Sequence, residues 1–210
     1  VVQGMSYTSP VDAAVVCSTT PIFTLVLATL ILRDRLTSFR LGGVALGFAA
    51  VVVFSLWGEP DVAMNVTNPV LGNTFCIIAQ MCGATYLVLF GKLISKYSPF
   101  TMMKWMMLMS AVVIMPFTLG DIMKIDWASF PVEGMLELAY IVVLGSCLCY
   151  LMIPFAQRRL KPTVIAMYNY LQPVVATLVS VIIGMAVLDA VKVGSALLIF
   201  LAVWMVSKER

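Results

Sequence analysis

A few polar side chains interrupt long apolar runs in this 210-residue chain, and any chemistry inside those runs falls to them. Tyr168, Asn169 and Gln172 stand just before Pro173. Positions three and four apart share a helical face, so these three line up together. Pro173 has no amide to give the carbonyl of Asn169, and a helix bends where that bond is missing. A freed carbonyl beside amide side chains makes either a ledge for the polar groups of a small solute or a hydrogen-bonded joint between helices. Thr20, with Ser18 and Thr19, stands before Pro21 in the same way. Gln80, Tyr86 and Tyr150 are the other uncharged candidates. Lys104 is a cation about five residues into an apolar run, placed either to meet a substrate carboxylate or to snorkel to the surface beside Trp105.

The remaining charges read as structural. Ser9-Pro10-Val11-Asp12 has the form of a capping box with proline at the first helical position. Glu133 and Glu137 open another apolar run, where a negative charge suits the helix dipole. No carboxylate falls in the middle of an apolar run. Histidine is absent, and Cys17, Cys76, Cys82, Cys147 and Cys149 form no CxxC pair. The chain therefore offers no ligand set for a metal, and no cofactor is expected. An intramembrane enzyme needs paired aspartates, a serine with a histidine, or metal ligands, so no enzyme is expected either.

These residues must be carried by elements that cross a membrane. Hydrophobic residues make up 62% of the chain and charged residues 11%, with a mean hydropathy of +1.04. Soluble domains carry about 45–50% apolar and about 25% charged residues, so a soluble enzyme, a secreted disulfide scaffold and a disordered chain are excluded. The apolar runs have the length of a bilayer-spanning helix. Seven are read, at 11–32, 40–57, 70–91, 99–119, 134–155, 162–184 and 190–207.

Charge sorts the connections between them. Arg33, Arg35, Arg40, Lys92, Lys96, Arg158, Arg159, Lys161, Lys208 and Arg210 fall on one side. Glu59, Asp61, Asp121, Asp126, Glu133 and Asp189 fall on the other, with Lys124 and Lys192. The positive-inside rule puts the C-terminus in the cytoplasm and the visible N-terminus outside.

The chain also repeats itself. Shifted by 152 residues, 10–55 aligns with 162–207 without a gap. Pro10 meets Pro162, Pro21 meets Pro173, Gly42 meets Gly194, Phe48 meets Phe200 and Val51 meets Val203. Ala14/Ala166, Ile31/Ile183, Leu36/Leu188, Leu46/Leu198, Ala50/Ala202 and Ser55/Ser207 match as well, and Arg40 stands opposite Lys192. The shift contains an odd number of spans, so the two copies cross the membrane in opposite directions, a plan common in secondary transporters. The expected division is 1–57 as the end of a first copy, 58–68 as an external linker, and 69–210 as a complete second copy. The first copy then wants about 80 further residues before Val1, room for three more spans.

At this point the residues resemble a known family. Tyr7-Thr8-Ser9-Pro10, Pro21, Leu32-Arg33-Asp34-Arg35-Leu36 and Leu41-Gly42-Gly43 resemble the end of an EamA domain. Leu171-Gln172-Pro173, Gly184 and Lys192-Val193-Gly194 resemble it again. The resemblance to EamA-type transporters of the drug/metabolite transporter superfamily implies two inverted five-helix repeats and a ten-helix bundle with both termini cytoplasmic. It also implies a substrate class of small organic metabolites such as amino acids, often exported. The sequence departs from the family's usual glutamate after the fourth helix, having Asp34; the second copy has Ala186 and Val187 there, with Asp189 further on.

The expectation is thus an all-α polytopic membrane protein with seven visible helices of an inverted repeat. It would act as a secondary transporter by alternating access, with Thr20, Gln80, Tyr86, Lys104, Tyr150, Tyr168, Asn169 and Gln172 on the substrate. A seven-helix receptor or structural membrane protein is the other class, although the last span has no mid-membrane lysine for a retinal Schiff base. The expected partners are a small-molecule substrate and the lipid bilayer of a plasma membrane (the bacterial inner membrane), not nucleic acid. Gly43-Val44-Ala45-Leu46-Gly47 is a close-packing pattern, for a neighbouring helix or for a homodimer. Asn65-Val66-Thr67 has the form of a glycosylation sequon.

Overall fold

Prolines punctuate this chain, and in the computed structural model helices begin at or beside Pro10, Pro69, Pro99, Pro131 and Pro162. The structure describes residues 6–8, 10–56, 68–94, 96–124, 131–184 and 189–208. Among them there is helix and no strand. Seven helical stretches are long and apolar enough to cross a membrane, from Asp12–Ile31 to Ala190–Lys208, and they fall on the seven runs read from the sequence. The sequon and most of the linker lie outside the described residues, as does Ser9 of the capping box; Asp12 itself is exposed in the first turn of its helix.

The chain divides into two units, 1–90 with 160–210, and 91–159. The first unit begins with α1 (Pro10–Cys17) and α2 (Thr20–Ile31), one span interrupted at Ser18 and Thr19. It continues with α3 (Ser38–Leu56) and α4 (Pro69–Leu89). Asn68 caps α4 by accepting the Leu71 amide at 3.1 Å, with Pro69 in the first turn where a missing amide costs nothing. After the second unit the chain returns with α9 (Pro162–Met167), a 3₁₀ turn (Tyr168–Tyr170), α10 (Leu171–Ile182) and α11 (Ala190–Lys208). Gly184, at φ +80°, ends α10 in a conformation that suits glycine.

The core of this unit lies where α3 meets α11. Gly43 approaches Val206 and the Ala202 carbonyl, and Gly47 approaches Ala202 and the ring of Tyr170. As the α3 number rises the α11 number falls, so the two helices run antiparallel. The 152-residue shift carries Ser38–Leu56 onto Ala190–Lys208, and the buried faces correspond too. Arg40, Gly43, Gly47, Ala50, Val51 and Phe54 are buried in α3; Lys192, Ser195, Ile199, Ala202, Val203 and Val206 are buried in α11. The interruptions also match, since Ser18–Thr19 and Tyr168–Tyr170 both precede the paired prolines. The Gly43/Gly47 face is taken by a helix of the same chain, so a second copy could not use these glycines while α11 holds them.

The second unit consists of α5 (Gly91–Ile94), α6 (Pro99–Ile122), α7 (Val132–Tyr140), a π-helical stretch (Ile141–Leu148) and α8 (Cys149–Gln157). The last three form one span. Phe100 of α6 meets Phe155 of α8 edge to face at 5.8 Å. Arg158 donates to the carbonyls of Ile94, at 3.3 Å, and Tyr97, tying the end of α8 to the loop before α6.

A Cβ on Gly47 would lie 2.5 Å from the Tyr170 ring, whereas nothing lies within 4 Å of one on Gly83. Gly47→Ala is therefore expected to destabilise the protein by about 1–3 kcal/mol, the usual cost of forcing extra volume into a packed interface. Gly83→Ala should have no such cost. Thermal unfolding of both variants in detergent checks the difference.

Candidate functional site

The candidate residues divide between the two units. Thr20, Gln80, Tyr86, Tyr168, Asn169 and Gln172 belong to the first; Lys104 and Tyr150 belong to the second. Lys104 on α6 and Tyr150 on α8 are both exposed.

The closest grouping forms where α1 breaks into α2. Pro21 cannot donate to the carbonyl of Cys17, four residues back. The buried Thr20 hydroxyl lies 2.9 Å from that carbonyl and serves it in the amide's place. The same hydroxyl lies 2.5 Å from Oε1 of Gln80 on α4, so its proton is shared between two acceptors. Gln80 completes the link by donating from Nε2 to Sγ of Cys17 at 3.1 Å. Ser18 and Thr19 donate to the carbonyls of Val15 and Val16, each at 2.6 Å, and Thr24 donates to that of Thr20 at 2.8 Å. Hydroxyls thus supply what the broken ladder lacks, as backbone in an apolar medium requires. The structure brings Thr20 and Gln80 together and satisfies the amide of Gln80 at both ends.

Tyr86, on the same helix as Gln80, differs. Its ring leans on Phe90 with centroids 5.5 Å apart, and its hydroxyl is enclosed with no hydrogen-bond partner among the described residues. An enclosed hydroxyl without a partner is costly, and marks a place where a ligand oxygen or nitrogen would be welcome.

In the second copy the break before Pro173 becomes a full 3₁₀ turn, with the Leu171 amide reaching back to the carbonyl of Tyr168. Tyr168 and Gln172 are exposed and Asn169 is partly so. Gln172 occupies the place that Thr20 has in the first copy, but stands open where Thr20 is buried. Tyr170, which the sequence reading passed over, is wholly buried. Its hydroxyl donates to the Val44 carbonyl at 3.2 Å, beneath Gly47. The clue was available in two parts, a glycine pair and a tyrosine, but 126 residues separate the bonded partners.

A profile of the EamA-like transporter family matches residues 1–56 and 70–208. The chain belongs to the EamA-like transporter family. It is 23% identical over 196 residues to the uncharacterized transporter YyaM of Bacillus subtilis, covering 93% of this chain and 64% of that one. An uncharacterized transporter of Archaeoglobus fulgidus is 32% identical over 114 residues, 54% of this chain and 38% of that one. An uncharacterized transporter from Acidianus ambivalens is 24% identical over 184 residues, 88% of this chain and 68% of that one. The chain thus spans less than two thirds of the first two relatives. A crystal structure superposes with a TM-score of 0.78 at 14% identity, covering 98% of this chain and 70% of its own, which shows a shared fold. This EamA-like chain is a multi-pass membrane protein of a transporter family.

The Thr20–Gln80 bond should be measurable. A double-mutant cycle of Thr20→Val and Gln80→Leu, read by unfolding in detergent or bicelles, is expected to give a coupling of about 0.6 kcal/mol, and not above about 1.7, the range of interhelical polar contacts.

Proposed function

We propose that this EamA-like protein is a secondary transporter that exports small organic metabolites such as amino acids. In this reading two inverted copies rock around a cavity between them, opening it to one side and then the other. The copies are 1–57 and 69–210, joined by an external linker at 58–68. The protein sits in the plasma membrane, a bacterial inner membrane, with its C-terminus in the cytoplasm.

The observation that carries this reading is the correspondence of α3 and α11. Helices related by the sequence shift bury equivalent residues and run antiparallel, as copies of opposite topology must. The matched breaks before Pro21 and Pro173 support it further, since transporters commonly build solute sites where helices are interrupted.

Within this scheme the first break is closed by its own hydroxyls and by Gln80, whereas the second stands open. Asn169 and Gln172 bind the solute's polar groups through their amides, with Tyr168 beside them. Tyr86 supplies a hydroxyl ready for a bond. Thr20 and Gln80 brace the first break, and Lys104 and Tyr150 are the second unit's own candidates for contact with a solute. Amides and hydroxyls suit a zwitterionic or neutral polar solute, and Lys104 a carboxylate.

The test is transport by the full-length protein reconstituted in vesicles, read by counterflow of labelled amino acids. Asn169→Ala and Gln172→Ala should each lower transport at least about tenfold, the loss expected when one buried polar contact to a solute goes. Membrane insertion should be intact. Unchanged transport in both variants overturns the ledge; misfolding of both makes it a joint between helices. Tyr86→Phe sharpens the test, because it removes an unpaired hydroxyl and should cost no stability. A fall in transport at unchanged unfolding temperature would report a lost bond to the solute.

A further inference from the structure

The two copies treat one position differently. Arg40 in α3 and Lys192 in α11 correspond under the 152-residue shift, and both are buried, at 6% and 8% exposure. Arg40 is held within the chain: its guanidinium lies 3.8 Å from the Asp34 carboxylate and donates to the Arg35 carbonyl at 3.4 Å. In the second copy the position of Asp34 is Ala186. Among the described residues Lys192 has no hydrogen-bond or ion-pair partner. The nearest acid in sequence, Asp189, accepts the Ala190 amide at 2.7 Å and forms no ion pair with Lys192. Lys192 also stands in the first turn of α11, where the helix dipole repels a cation.

The lysine lines a cavity of about 180 Å³. Its other walls are almost wholly apolar, with Phe54 of α3, Leu178 of α10, and Leu197 and Phe200 of α11 prominent. Leu197 and Phe200 are also exposed at the rim, so the cavity opens onto the apolar flank of the unit. Lys192 is the third residue of a span that begins at Ala190, about 3 Å along the helix from its end, which is headgroup level. From there the groove follows α11 to Phe200 for about 12 Å toward the hydrocarbon core. The stem of Lys192 packs along this groove, as the stem of a snorkelling lysine does, and the residue is only 8% exposed.

We propose that this groove binds an anionic phospholipid, with the phosphate on Lys192 and an acyl chain along Phe54, Leu178, Leu197 and Phe200. The lipid anion takes the part that Asp34 plays for Arg40, so a bilayer component completes the second copy. A cation with no acid paired to it attracts an anion, and the apolar walls select one that carries a hydrocarbon chain. The site is separate from the solute residues proposed above and does not depend on the substrate.

The test is native mass spectrometry of the delipidated full-length protein, titrated with phosphatidylglycerol, phosphatidylcholine or inorganic phosphate. One phosphatidylglycerol is expected to bind in preference to phosphatidylcholine, and millimolar phosphate should not displace it. Lys192→Met should weaken that binding about fivefold, the worth of one lysine at an anionic lipid surface. Lys192→Arg should retain it. Leu197→Trp keeps the lysine but fills the groove, and should weaken binding as well; it carries the test if Lys192→Met does not fold. Undiminished phosphatidylglycerol binding in a folded Lys192→Met or Leu197→Trp protein overturns the proposal. Displacement by phosphate would make the site one for free anions, and equal affinity for phosphatidylcholine would remove the role of charge; either result also overturns it.

Discussion

The close, antiparallel contact of α3 with α11 is the constraint on which the first unit depends. Between helices in lipid there is no hydrophobic drive, because the surrounding chains are as apolar as the side chains. Association must come from fit and from hydrogen bonds. Gly43 and Gly47 supply the fit by letting α3 approach Val206, Ala202 and the Tyr170 ring. Tyr170 supplies the bond, its buried hydroxyl reaching the Val44 carbonyl on the helix it packs against. One tyrosine thereby ties the broken span of the second copy to the last helix of the first.

With that contact fixed, the interrupted spans acquire a purpose. A helix in lipid cannot leave backbone groups bare, so each proline-induced break needs a local repair. In the first copy the repair is complete: Thr20 covers the Cys17 carbonyl, and Gln80 braces the joint from α4. In the second copy Gln172, which stands at the place of Thr20, is larger and exposed. Divergence between copies is where a symmetric scaffold can acquire an asymmetric site, and the same contrast recurs at Arg40 and Lys192.

Much of this was legible in the sequence. Run length and composition set the seven spans, because a bilayer demands about the same number of apolar residues from every crossing helix. Paired prolines and glycines exposed the internal repeat, since their backbone effects survive when apolar side chains interchange. Gln80 stood out as an uncharged polar candidate within an apolar run. That its partners are Thr20 and Cys17 depends on how two distant spans meet, which local pattern does not encode. The same limit hid Tyr170: Tyr168 and Tyr170 look alike in sequence, and only the 3₁₀ turn and the space above Gly47 make one exposed and the other buried. Nor did the sequence reading anticipate the π-helical stretch Ile141–Leu148.

The central claim is that α3 and α11 are equivalent helices of opposite membrane orientation. Thr37 and Asp189 correspond under the 152-residue shift, each standing just before its helix. The decisive measurement is labelling of Thr37→Cys and Asp189→Cys by a membrane-impermeant maleimide, in a protein whose five native cysteines are replaced. The account predicts that the residue-37 thiol reacts only from the cytoplasmic side and the residue-189 thiol only from the outside. Reaction of both from the same side would contradict it.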